Sequence, residues 1–217
     1  MQRTTVAVFL LVIARLCAAQ TGRVETLGPP TDASIPESVR SLLDTTGHRV
    51  LLDDGSVACE IWLRKTVPVG PRKDAPDVLY PELAESTLVG VISSPRPATD
   101  YRGQPIKPGA YTLRYELMPE DGNHLGVAPN RDFVLLIPVA SDPDPNATFK
   151  FDELVSLSRK ATGTRHPGPL SLAQASGATA PALSKDEEEH WIFSTVLKLA
   201  SGKDLPFGLV IKGTAPQ

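Results

Sequence analysis

Cysteine is nearly absent from this chain. Of two among 217 residues, Cys17 lies in an apolar N-terminal run, which leaves Cys59 alone. No intrachain disulfide can staple the remainder of the chain, so a buried core must hold the fold. Basic clusters are absent too. Lys and Arg number 22 against 25 Asp and Glu, a formal charge of -3. A mildly acidic chain without basic stretches argues against nucleic acid, and against an anionic membrane surface, as the main partner. After the N-terminus no apolar run reaches the ~20 residues that span a bilayer. Recognised catalytic signatures are missing as well: no Gly-rich phosphate loop, nucleophile elbow, HExxH or paired-Cys metal motif occurs.

What is present begins with a targeting pattern. Arg3 forms a short basic region, Val6 to Ala14 ("VAVFLLVIA") an apolar one, and Cys17 and Ala19 place small residues at a signal-peptidase site. Residues 1–19 are therefore expected to be a signal peptide, with export to the periplasm or the cell exterior. Lipid attachment at Cys17 is disfavoured, because "ARLC" lacks the small residues that usually precede a modified Cys. Removal of this segment leaves roughly 200 residues, enough for one domain with a real core.

Residues 20–33 are polar and Pro-containing and read as a loose leader. "SIPESVRSLLDTTG" predicts a short helix with Ser34 as N-cap, Pro36 in the first turn, Glu37 completing a capping box and Gly47 ending it. Strands come next. "HRVLL" and "SVACEIWLRK" flank "DDG", a hairpin turn. Val57, Cys59, Ile61 and Leu63 alternate with Ala58, Glu60, Trp62 and Arg64, which puts Cys59 on a buried face and Trp62 on a wet one. "TLVGVIS" is the next strand. In "AYTLRYELM", Tyr111, Leu113, Tyr115 and Leu117 read as inward and Thr112, Arg114 and Glu116 as outward. "FVLLIPVA" is an unbroken apolar run, as expected of a central strand covered on both faces. "FDELVSLSRKATG" predicts a helix capped by Asp152 and stopped by Gly163. Residues 164–186, rich in Ala, Ser, Gly and Pro, read as a mobile surface loop. "HWIFSTVLKLA" and "LPFGLVIKG" close the chain as a strand pair around "SGKD". The fold class that results is mostly β: a β-sandwich with one or two short helices over residues 34–217, a closed barrel being the alternative.

"PIKPGAYTLRY" carries a resemblance. A Pro-Gly turn entering a strand with Tyr111 two residues on resembles the tyrosine corner of fibronectin type III and Ig-like sandwiches, in which the hydroxyl bonds back to the turn. "KPGAYTLRYELMPEDGNHLGVAPNRDFVLLIP" together with "LPFGLVIKG" is similar to a family of exported bacterial proteins of unassigned function. That likeness implies export and a β-rich domain, and no mechanism.

Polar residues gather between two apolar runs in "DGNHLGVAPNRDF". Asp121, Asn123, His124, Arg131 and Asp132, with the outward Trp62, are the candidate ligand-binding residues. The competing reading makes the stretch a long loop that satisfies its own backbone, with Asx-turns at Asp121 and Asn123. Histidine is scarce, four in all. His124, His166 and His190 sit in or beside loops, and their convergence, with Asp121 or Glu189 as an oxygen ligand, would suit Zn or Cu. Three function classes emerge: a non-catalytic module recognising a protein or glycan, a metal-dependent enzyme or carrier, or an accessory domain of a secreted assembly. Asn146-Ala147-Thr148 is a glycosylation sequon, relevant only in a eukaryotic secretory pathway.

Overall fold

The structure is a computed structural model, which describes residues 21–71, 77–100, 103–119, 130–175 and 181–213. In chain order the elements are β1 (Arg23–Leu27), α1 (Glu37–Arg40), β2 (Gly47–Leu51), β3 (Val57–Leu63), β4 (Leu88–Ser94), β5 (Ala98–Thr99), β6 (Pro105–Ile106), β7 (Gly109–Leu117), β8 (Asp132–Pro138), α2 (Phe151–Thr162), β9 (Pro169–Ala173), β10 (Ala182–Lys185), β11 (Trp191–Lys198) and β12 (Asp204–Lys212). A short 3-10 turn at Val139–Ser141 comes after β8.

The chain is mostly β, as its alternating patterns require. Ten strands form one continuous sheet in the order β1-β2-β3-β4-β7-β8-β9-β12-β11-β10, and every neighbouring pair is antiparallel. β5 and β6 form a small separate ladder. The sheet curls until its edges meet. A Cβ on Gly22, just before β1, would fall 2.5 Å from the Trp191 ring and 2.9 Å from Leu183 of β10, so only glycine permits this approach. The result is a nearly closed, barrel-like sheet, the shape closest to the barrel alternative. β3 and β12, far apart in the strand order, also approach each other across the curled sheet.

The interior obeys period two. Cys59, Ile61 and Leu63 of β3, Leu113 and Tyr115 of β7, Val134 and Leu136 of β8, Phe193 and Leu197 of β11, and Phe207 and Leu209 of β12 share one core. β8 is covered on both faces, as its unbroken apolar run predicts: Phe133, Leu135 and Ile137 lie on the outside, against Leu154 of α2. α2 stops where expected, at Gly163, whose φ of 70° favours glycine. Its N-terminal cap differs from expectation, since Glu153 Oε2, not Asp152, accepts the Lys150 backbone N–H at 2.8 Å.

Four further expectations are corrected. The leader contains β1, paired along its length with β2, because Val24 has a core to face. The stretch 164–186 holds all of β9 and β10. Leu170 and Leu172 enter the core there, apolar residues that a Ser- and Ala-rich composition conceals. α1 is a single turn with no side-chain cap, and it is Asp32 that accepts the Ser34 backbone N–H, at 2.8 Å. Gly47 begins β2 instead of ending the helix. Before β7 the buried Tyr111 donates its hydroxyl to the Lys107 carbonyl at 2.5 Å.

Candidate functional site

Asp132 opens β8 and pairs with Leu117, the last residue of β7. Its carboxylate is fully buried. It accepts the backbone N–H groups of Leu79 at 2.7 Å and Tyr80 at 2.9 Å, and the Tyr115 hydroxyl at 2.7 Å. Tyr80 reaches on across the barrel, donating to the Ala173 carbonyl at 2.5 Å and accepting the Gly208 N–H at 2.8 Å. Its ring meets Phe207 at 5.1 Å. Burial pushes the Tyr80 phenol up to about 12, Asp132 adding to the rise and the Gly208 N–H opposing it. Burial likewise holds the Tyr115 phenol well above the usual tyrosine range, Asp132 again contributing. Asp132 therefore ties the segment before β4 to the β7–β8 pair, and its oxygens are taken.

The rest of the described end of the polar stretch does similar work. Arg131 Nε donates to the Met118 carbonyl at 2.9 Å and lies 3.8 Å from Asp77. Asn130 Nδ2 donates to the Leu172 carbonyl at 3.3 Å. Asp121, Asn123 and His124 lie outside the described residues.

Trp62 is not on a wet face. It is 5 % exposed, and its indole N–H donates to the Gly28 carbonyl at 2.9 Å. The chain before β2 folds back over the outside of β3 and lays Ile35, Val39 and Leu43 against Trp62 and Val91. The signal lay in "SIPESVRSLL": an apolar stripe at helical spacing needs an apolar partner, and Trp62 supplies it. The outward face of β7 is covered for a related reason. Arg114, 1 % exposed, forms a bidentate pair with the equally buried Asp142, at 2.6 and 2.8 Å. Its other donors go to the carbonyls of Ser86, Ala147 and Asp144. Thr112 adds a bond to Asp142 at 2.6 Å. The acids of "SDPDPN" were the one hint that a buried cation needed a partner.

Of the three candidate metal ligands, His166 and His190 are among the described residues. His190 is buried, with Nδ1 at 2.9 Å from Asp186 Oδ2, so a carboxylate fixes the tautomer. Asp186 sits below its ordinary value: burial raises it, but the hydrogen bonds from the His190 backbone and ring outweigh that. His166 is exposed. His48, expected at the surface, is half-buried and faces Phe193 with ring centroids 5.7 Å apart. Burial lowers its pKa, Asp44 partly opposing. Among the described residues no group of three or more His, Cys, Asp or Glu side chains is placed to hold a metal ion. Cys59 is buried as expected, and burial, with Glu60 adding to it, pushes its thiol up to about 12.

No helix of the described residues is long and apolar enough to cross a membrane. Comparison of the chain with family models, with curated proteins and with solved structures gives no match.

Proposed function

We propose that this chain is an exported, non-catalytic binding or accessory domain, acting through the outside of its barrel-like sheet. The observation that carries the reading is a filled interior: Ile61, Tyr115, Phe193 and Phe207, from four strands, pack in one buried core. A barrel that carries a small molecule in its lumen needs space between its walls. Here that space is taken by core side chains. A second support is the commitment of the buried polar groups: Asp132, Asp142 and Arg114 direct their hydrogen bonds to backbone and to each other. Reactive groups at a catalytic centre face a substrate instead. Export rests on the pattern of Arg3, Val6–Ala14 and Ala19. A kinship with Ig-like sandwiches rests on the Tyr111 corner. The partner class this reading favours is a protein or a glycan in the periplasm or outside the cell.

The test has two arms. Purified protein is scanned by thermal shift against soluble glycans, peptides, amphiphiles and divalent metals, and assayed with generic ester, phosphoester, glycoside and peptide substrates. A saturable rise in melting temperature without turnover is expected, since only a ligand of the folded state raises it. Saturable turnover abolished by a point substitution overturns the reading. Intact mass from the native host should begin near Gln20, and a chain retaining residues 1–19 overturns export.

A further inference from the structure

We propose that the groove between α2 and the outer face of β8 binds a medium-chain monocarboxylate; the inference rests on the binding-domain reading and adds a small-molecule ligand to the protein or glycan partner named there. The groove has a volume of about 260 Å³. Its floor is Phe133 and Leu135, and Phe151 and Val155 of α2 form one wall. These side chains make a cleft that favours an alkyl or aryl body. The ends differ in charge. Asp152 lines the groove at the start of α2, and Arg159 lines it seven residues on. At 1.5 Å per residue the two stand about 10 Å apart along the helix. Arg165 joins Arg159 on the rim, and both are exposed. Among the described residues neither guanidinium has an ion-pair or hydrogen-bond partner.

This asymmetry fixes both class and orientation. A carboxylate suits the fork geometry of arginine and is repelled by Asp152, so the head lies at the Arg159–Arg165 end and the tail runs toward Phe151. Length is set along the helix: an extended chain that starts at Arg159 and stops short of Asp152 spans about 10 Å, roughly eight carbons. Arg159 is also placed to offset the α2 dipole, a role open to any cation. That role leaves the apolar floor beside it unexplained, whereas an amphiphilic anion accounts for both.

The experiment is calorimetric titration of the full chain with sodium octanoate, with acetate and octylamine as controls. Octanoate should bind at one saturable site. Acetate lacks the tail and octylamine carries the wrong charge, and both should fail to saturate. The double variant R159Q/R165Q changes only exposed side chains, so its melting temperature should fall by no more than about a few degrees, the share of the α2 dipole that Arg159 offsets. Its octanoate affinity should fall at least about tenfold, the loss of one charge-assisted contact. The proposal is overturned if octanoate does not bind, if octylamine or acetate binds as well, or if R159Q/R165Q binds octanoate unchanged. Should octanoate fail while another compound gives a saturable thermal shift, this ligand class falls and the binding-domain reading stands.

Discussion

Replacing Arg114 with Met tests how the outer face of β7 is held. A guanidinium has five N–H donors, and here each has its own acceptor. Nε and Nη2 grip Asp142 at 2.8 and 2.6 Å; Nη1 reaches Ser86 and Ala147 at 2.9 and 2.8 Å; Nη2 also reaches Asp144 at 2.7 Å. The Phe149 ring lies 5.2 Å from the guanidinium carbon. Met fills similar length but donates nothing. Asp142 would keep Thr112 and lose both charge-assisted bonds, while three carbonyls lose a donor. Removing one member of a buried pair costs about 3–5 kcal/mol. Against a total stability of about 5–15 kcal/mol, that is roughly a fifth or more of what a typical domain has.

Urea unfolding followed by fluorescence measures the cost. The midpoint of R114M should drop sharply with the m-value unchanged, the sign of a stability change without a change in compactness. The double variant R114M/D142L removes the stranded carboxylate, and apolar replacement of a buried pair is often neutral or better. It should recover most of the loss. A cost below about 1 kcal/mol for R114M, or a double variant no more stable than the single, refutes the view that an uncompensated buried charge is the dominant effect.

Three more outcomes come from the same geometry. Tyr80→Phe strips the hydroxyl that serves Ala173 and Gly208; it should cost about 2 kcal/mol in the same urea assay, and a loss under ~0.5 kcal/mol would show those backbone groups find other partners. Cys59, buried with its thiol pushed up to about 12, should react with a thiol reagent at neutral pH only on unfolding; rapid labelling without denaturant contradicts its burial. His48, its pKa lowered by burial from 6.5, binds its proton less readily folded than unfolded, so stability should fall as pH drops below 6.5 and level off above it. His48→Phe keeps a ring beside Phe193 and should lack that part of the pH dependence; parallel wild-type and variant curves between pH 5 and 7 would sink the assignment.

What the sequence made legible was whatever alternates. Cys59, Ile61 and Leu63 entered the core because period two survives any choice of sheet arrangement. The β11–β12 hairpin, the doubly covered β8 and the stop at Gly163 were legible for the same local reason. Closure was not. It depends on a glycine beside Trp191 and on β1, whose "RVETL" offers only two apolar residues. Nor does composition distinguish a strand such as "PLSLA" from a loop, because Ser171 and Pro169 are tolerated there only by the partners β8 supplies.

The described end of the polar stretch, Asn130 to Asp132, has a structural use. Polar residues between two apolar runs read as a site because loops carry function. Yet a segment that crosses the end of a barrel must anchor its own backbone without strand partners. Asp132 is an efficient anchor: one carboxylate serves two backbone N–H groups and a phenol, so a single side chain fixes the segment before β4 against β7 and β8. Arg114 does the converse, one cation serving three loop carbonyls. The two cases share a rule. In a barrel whose crossings are long and irregular, the charged residues at strand ends and under loops are engaged with backbone. Arg159, on a helix laid against the outside, and Arg165, just after it, are not so engaged among the described residues, and it is there that recognition by charge has groups to use.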